Sequence, residues 1–171
     1  MSQSTSEEEI AAQISADCEI DVDVYDTQRL RVDLSPEQLL DFCQCLKQLR
    51  FDHLSSIAVT DMPDDQQYKV THHVWSYGHN VLLTIRSRID RDRPAITSVG
   101  SVWPSAGIHE REAHELFGVE FEGNPDLTDL FLEEWDEVPP FRKDFNWRQY
   151  VRSSYDREDD REKVYWQDEC D

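Results

Sequence analysis

Lysine is scarce in this sequence. It supplies four of 17 basic residues, against 37 acidic ones, for a formal net charge of −20. A surface that negative repels phosphate backbones and anionic lipid, which argues against nucleic-acid or membrane-surface binding by charge. It suits basic partners or a salt-rich cytoplasm. Long apolar runs are missing too: none approaches the roughly 20 residues that span a bilayer. Met1 to Glu9 is polar and acidic, without the basic start and apolar stretch of an export signal. The expectation is a cytoplasmic protein, held at a membrane only by a partner. Glycine occurs five times and never at phosphate-loop or dinucleotide spacing. No serine sits in a nucleophile elbow. Cys18, Cys43, Cys45 and Cys170 are the only cysteines, and without an export signal they are expected as reduced thiols.

What is present is enough for one domain, with length to bury a core. Three parts are expected: an α+β sheet domain over 1–93, a helix and turn over 94–123 that completes it, and an extended partner-binding segment over 124–171. Residues 51–90 carry five acids and three bases, whereas 91–150 carry 13 and six, so the middle reads as core and the flanks as solvated or covered. Ser4 to Ala16 predicts a helix capped by Ser6, with acids in the first turn. Ile20, Val22 and Val24 alternate with Glu19, Asp21 and Asp23, the period of a half-buried strand. Leu30, Val32 and Leu34 predict its hairpin partner. Ser35-Pro36 opens a helix running to about Arg50. Strands follow at 54–59, 68–77 and 81–86, the last two joined by a turn at 77–80. The fold class is therefore α+β: a mostly antiparallel or mixed sheet with helices on one face, followed by the extended segment. Ser105 to Phe117 reads as a helix ended by Gly118. Beyond Gly123, apolar patches alternate with Pro125, Pro139 and Pro140 without a sustained period, as in a segment that wraps another surface. Asp156 to Glu162 reads as a solvated tail.

Few residues invite chemistry. His109 and His114 flank a Glu-Arg-Glu run, but zinc proteases need two His four apart. Five apart puts these about 140° from each other around a helix. Cys43 and Cys45 face different sides of their helix, one for the core and one partly exposed. His72 and His73 point to opposite faces of a strand and read as satisfied structural histidines. Arg111 can pair with Glu115 one turn on. Arg142-Lys143 is a basic pair within acidic surroundings, beside Pro139-Pro140-Phe141 and Trp147. Such an arrangement makes a good interface anchor.

Taken together, PAITSVGSVWPSAGIHEREAHELFGVEFEG from Pro94 to Gly123, then NPDLTDLFLEEW and PPFRKDF, resemble one family: the C-type component of respiratory complex I, the NADH:quinone oxidoreductase. The matching positions include Trp103-Pro104, Glu110-Arg111-Glu112, Leu116-Phe117-Gly118, Phe121, Gly123, Pro125-Asp126-Leu127, Trp135 and Arg142-Lys143-Asp144-Phe145. Asn124 stands where the family usually shows His, and Phe141 where it shows Leu. The resemblance implies a non-catalytic peripheral-arm subunit of a proton-translocating oxidoreductase fed by NADH, reduced F420 or ferredoxin, with no cofactor or metal of its own. The equivalent subunit of a membrane-bound energy-converting [NiFe] hydrogenase is the alternative. The implied partners are the quinone-site subunit (D-like) and the cluster-bearing subunits (B-like and I-like), on the cytoplasmic side of the membrane. Expected partner contacts are Glu110, Arg111, Glu112, Phe117, Gly118, Asp126, Trp135, Arg142, Lys143 and Asp144.

Overall fold

The structure, a computed structural model, describes residues 6–132, 135 and 137–155. The first helix, α1 (Glu7–Cys18), begins on Ser6. The Glu9 N–H donates to Ser6 Oγ at 3.3 Å and the Ser6 N–H donates to the Glu9 carboxylate at 3.1 Å. This reciprocal cap satisfies two donors that a helix start otherwise leaves open. Ile10 and Ile14 turn its apolar side inward. A short hairpin follows, β1 (Asp23–Asp26) and β2 (Arg29–Leu34). The strand expected from Glu19 to Tyr25 is thus shorter. Val24 is 38% exposed, on a strand at the edge of the sheet.

A single 3-10 turn at 36–38 leads into α2 (Leu39–Gln48), whose Leu39, Phe42, Cys43 and Leu46 are buried. Then come β3 (His53–Met62), β4 (Gln67–Ser76) and β5 (Val81–Asp90). The five strands lie in the order β1-β2-β5-β4-β3. The β2–β5 pair is parallel and the others antiparallel, so the sheet is mixed. A second, two-stranded parallel sheet joins β6 (Ala95–Thr97) to β7 (Glu120–Glu122) around α3 (Ala106–Phe117). Within the segment expected to be extended, Trp147–Tyr155 forms α4.

Strands β2 to β5 alternate, β3 with a shift of register after Leu54. Leu30, Val32, Leu54, Ile57, Tyr68, Val70, Val74, Leu83 and Ile85 enter one core with α1, α2 and α3. Trp103 is 2% exposed and anchors the irregular stretch expected at 98–104, its indole N–H donating to the Phe51 carbonyl at 3.0 Å. That bond removes the cost of burying an indole nitrogen. Among the described residues, the opposite face of the sheet carries no helix.

Candidate functional site

The helix α3 ends where Gly118 takes φ +78°, the left-handed cap that its sequence position predicts. A Cβ there would also meet Pro139 Cγ at 3.1 Å. The glycine therefore serves two ends: it stops the helix and lets the later chain cross close behind it. The Phe141 N–H completes the crossing by donating to the Leu116 carbonyl at 3.0 Å.

Residues of α3 hold this strap through one buried carboxylate, Glu110, and two half-buried side chains, Arg111 and Glu115. Ala106, Glu110 and Ala113 share the inward side of the helix, following the i, i+4, i+7 spacing of one face. Glu110 is therefore fully buried. Its Oε2 accepts from Ser98 Oγ at 2.7 Å and Asn124 Nδ2 at 2.8 Å, and its Oε1 from the Val99 N–H at 2.9 Å. A buried carboxylate without a cation persists only when its lone pairs are filled like this.

Arg111 does not pair with Glu115 as expected. Its guanidinium donates to the carbonyls of Thr128 at 3.0 Å and Asp129 at 2.9 Å, and to Thr128 Oγ1 at 3.1 Å. Glu115 instead accepts from the N–H groups of Leu130, Phe131 and Leu132, the last at 2.6 Å. Burial pushes the Glu115 carboxyl up, but those three donors and the nearby Arg111 outweigh it, holding it below the usual range. Backbone without ladder partners takes its hydrogen bonds from side chains, which is how an irregular segment satisfies itself against a folded surface.

A third clamp reaches from the sheet. Arg91 is 6% and Asp61 3% exposed. Arg91 Nε donates to Asp61 Oδ1 at 2.7 Å and its Nη2 to Asp61 Oδ2 at 3.0 Å. Asp61 Oδ2 also accepts from the Lys143 N–H at 2.8 Å, and Asp144 sits 3.0 Å from Arg91 Nη2. The Arg142 and Arg91 guanidiniums hold the Asp144 carboxyl down at about 2. Hydrogen bonding from Arg91 likewise lowers Asp61.

The expected contact residues thus divide. Glu110, Arg111, Gly118 and Asp144 are engaged within the chain, as is the main chain of Lys143. Asp126 turns its own loop by accepting from Thr128 Oγ1 at 2.7 Å. Glu112 stays exposed. Phe117 meets Phe141 edge-on at 5.7 Å, and Trp135 meets Phe145 edge-on at 5.6 Å and Tyr150 at a tilt at 4.8 Å. Sequence reasoning missed Asp61, Arg91 and Glu115 as clamps. Only their distant partners give them away, since the Asp61–Lys143 bond spans 82 residues.

Two other expectations change. Cys18 and Cys45 form a disulfide, and Cys43 is a buried thiol that burial holds far above its usual value. The two sulfurs meet because α1 and α2 pack side by side, which neither cysteine's local sequence reveals. Cys170 and the tail from Asp156 lie outside the described residues. His73 is satisfied by Ser56 Oγ at 3.1 Å, but His72 is fully buried with neither ring nitrogen partnered. No metal-binding cluster occurs among the described residues, and no helix among them is long and apolar enough to cross a membrane.

Residues 32–151 match the family model described as respiratory-chain NADH dehydrogenase, 30 Kd subunit. The chain belongs to this family. It is 37% identical over 123 residues to the C component of the F(420)H(2) dehydrogenase of Methanosarcina mazei, covering 68% of this chain and 75% of that one. It is 38% identical over 119 residues to the C 2 component of the NADH-quinone oxidoreductase of Rhizobium meliloti, covering 67% and 65%. Among solved structures, a chain of the membrane-bound sulfane sulfur reductase, an archaeal respiratory membrane complex, superposes with a TM-score of 0.83 at 25% identity over 96% of both chains. A trypsin-resistant fragment (1–134) of Nqo5 matches at a TM-score of 0.59 and 25% identity, covering 70% of this chain and 98% of that one. Family membership therefore accords with the α+β fold and with the signature stretch from Pro94 to Asp144.

Proposed function

We propose that this chain is a non-catalytic, peripheral-arm subunit of a complex I-like oxidoreductase, and that residues 124–155 form its docking strap. The complex would pass electrons from NADH, reduced F420 or ferredoxin to a quinone-type acceptor while translocating protons. One observation carries the reading. Of nine exposed large hydrophobic residues among those described, five lie between positions 131 and 151: Phe131, Val138, Phe141, Trp147 and Val151. Aromatic and aliphatic groups concentrated on one segment mark a surface that another polypeptide covers. The clamps at Glu110, Arg111, Glu115 and Arg91 hold that segment in one course, so little ordering entropy remains to be lost on docking.

In this reading the strap lies against the quinone-site subunit and its cluster-bearing neighbours on the cytoplasmic side of the membrane. Glu112, Trp135, Arg142 and the Lys143 side chain contribute directly. Glu110, Arg111, Gly118, Asp126 and Asp144 act by shaping the strap. The match along 96% of a chain from the membrane-bound sulfane sulfur reductase, an archaeal respiratory membrane complex, supports assembly into a membrane complex; the equivalent subunit of a membrane-bound energy-converting hydrogenase is the alternative placement. Purification through a tag on this chain, with identification of the copurifying subunits and elemental analysis, tests both. Quinone-site and cluster-bearing subunits are expected, and nickel would select the hydrogenase placement. The Phe141→Ser/Trp147→Ser variant should recover far less of them. A chain recovered alone from the soluble fraction would sink the proposal.

A further inference from the structure

The open face of the large sheet carries five cations beside four acids, Asp23, Asp26, Asp33 and Asp90, in a chain whose acids outnumber its bases 37 to 17. Arg29, Arg31, Lys69, Arg86 and Arg88 all alternate onto it, five of the 17 cations in the chain. None of them belongs to the core cluster. Arg31 is 3.7 Å from Asp23, and Arg86 Nε donates to Asp33 at 2.7 Å. Lys69 and Arg88 differ: they are direct cross-strand partners on β4 and β5, and neither has an ion pair among the described residues. Like charges directly opposite each other on a sheet destabilise it. With 37 acids available, folding alone gives no reason to set two cations face to face. They line a groove of about 560 Å³ with Arg86, Asp33, Met62 and Pro36.

We propose that this groove docks an acidic, extended segment of a neighbouring subunit, whose carboxylates bridge Lys69 and Arg88. This deepens the assembly reading and rests on it for the partner's identity. It names an interface separate from the strap, on the face of the sheet away from the helices. Charge complementarity selects the occupant. At physiological salt, charges beyond about 8 Å are largely screened. A short segment with a few carboxylates therefore meets the local cations and little of the surrounding acid. Nucleic acid or an anionic bilayer would extend its charge past the patch and into that acid. The guanidinium of Arg88 can take one carboxylate bidentately, and Lys69 adds a compact point charge beside it.

Two measurements test this. In the first, fluorescein-labelled hexaglutamate is titrated into the isolated full chain at about 0.15 M salt, where the screening length is about 8 Å. Binding is expected, with the dissociation constant rising at least about tenfold in Lys69→Glu/Arg88→Glu, the loss of roughly two screened ion pairs. Lys47→Glu/Arg50→Glu, with the same change in net charge but away from the groove, should keep the affinity. Circular dichroism confirms that both variants fold, and Lys69→Gln/Arg88→Gln serves if the reversal does not. In the second, the intact complex is treated with a carbodiimide. This activates a carboxyl, Lys69 Nζ attacks it, an amide bond forms and the reagent leaves as its urea. A linkage from Lys69 to an Asp or Glu of another subunit is expected.

Absent hexaglutamate binding, or equal loss in both double variants, overturns the proposal. So does a linkage from Lys69 to positions 156–171 of this chain, or no linkage at all. A chain that copurifies with no oxidoreductase subunit refutes the assembly reading instead, while the peptide titration still decides the chemistry of the groove.

Discussion

Replacing Glu110 tests whether buried carboxylates hold the strap to the domain. Its three donors are Ser98 Oγ, the Val99 N–H and Asn124 Nδ2, all within 2.9 Å. Glu110→Ala strands at least the Val99 N–H, which belongs to a fully buried residue, and leaves a cavity the size of a carboxymethyl group. An unsatisfied buried donor costs about 1–3 kcal/mol, and bonds to a charged acceptor contribute about 1.5–3 kcal/mol each. Together these give roughly 3–5 kcal/mol of lost stability. Glu110→Gln is the sharper variant because it keeps the volume. Its amide nitrogen would have to sit where Oε2 accepts from Ser98 and Asn124. Ser98 can rotate its hydroxyl. Asn124 cannot turn its amide without losing the bond its Oδ1 accepts from the Asp126 N–H at 3.0 Å. The expected cost is about 1–3 kcal/mol. Thermal unfolding of the purified chain reads both, at about 2–4 °C per kcal/mol for a domain of this size. Limited proteolysis should show new cleavage between Gly123 and Leu132. A Gln variant as stable as the parent, or an Ala variant within about 1 kcal/mol of it, would refute the clamp.

Removing one side of the Asp61–Arg91 pair should cost about 3–5 kcal/mol, because a buried partner is left uncompensated; urea unfolding of Arg91→Met measures it. Buried His72 is held down at about 4 by desolvation, with His73 a smaller contributor. The unfolded chain binds a proton near pH 6.5 and the folded one does not. Stability should therefore fall by about 3 kcal/mol as pH drops from about 6.5 to about 4. His72→Leu should flatten that window and leave the protein no less stable at neutral pH; an unchanged pH profile counts against the reasoning. Asp61 and Asp144 act at lower pH. Their lowered values give stability that is complete above about pH 4 and lost as acid approaches the folded values. Acid unfolding of Asp144→Asn, with a weaker dependence below about pH 4, checks this. Alkylation under denaturing conditions should modify Cys18 and Cys45 only after reduction. Reduction itself should cost about 3–4 kcal/mol for a loop of this length, and equal labelling without reductant would remove the staple.

Local periodicity made most of the elements legible. The alternation over 68–77 and the apolar run over 81–86, with the turn at 77–80, identify the central hairpin, and Ser6, Ser35 and Gly118 mark helix ends through cap chemistry. The parallel β2–β5 pairing was not legible, because register between strands some 50 residues apart is decided by the whole core and not by either strand. The site divides the same way. Its location in 94–145 follows from the order of motifs. The inward turn of Glu110 could have been read from its spacing to Ala106 and Ala113, but charge argued for the surface. The destinations of Arg111 and Glu115 lie 15–18 residues ahead, in a stretch with no period. The Cys18–Cys45 bridge and the Asp61–Arg91–Asp144 knot depend on contacts that arise only once helices and sheet have packed.

The strap is held by side chains of one helix and two strand ends and by the Phe141–Leu116 main-chain bond, whereas the strands of the large sheet hold each other through continuous ladders. Tension applied from the C-terminal end would open the Arg91, Glu115 and Arg111 attachments one after another, like a zip, before loading the sheet in shear. The molecule thus has a weak mechanical unit in series with a strong one. A neighbour pulled away from the strap would peel that unit off first and leave the sheet domain intact behind it.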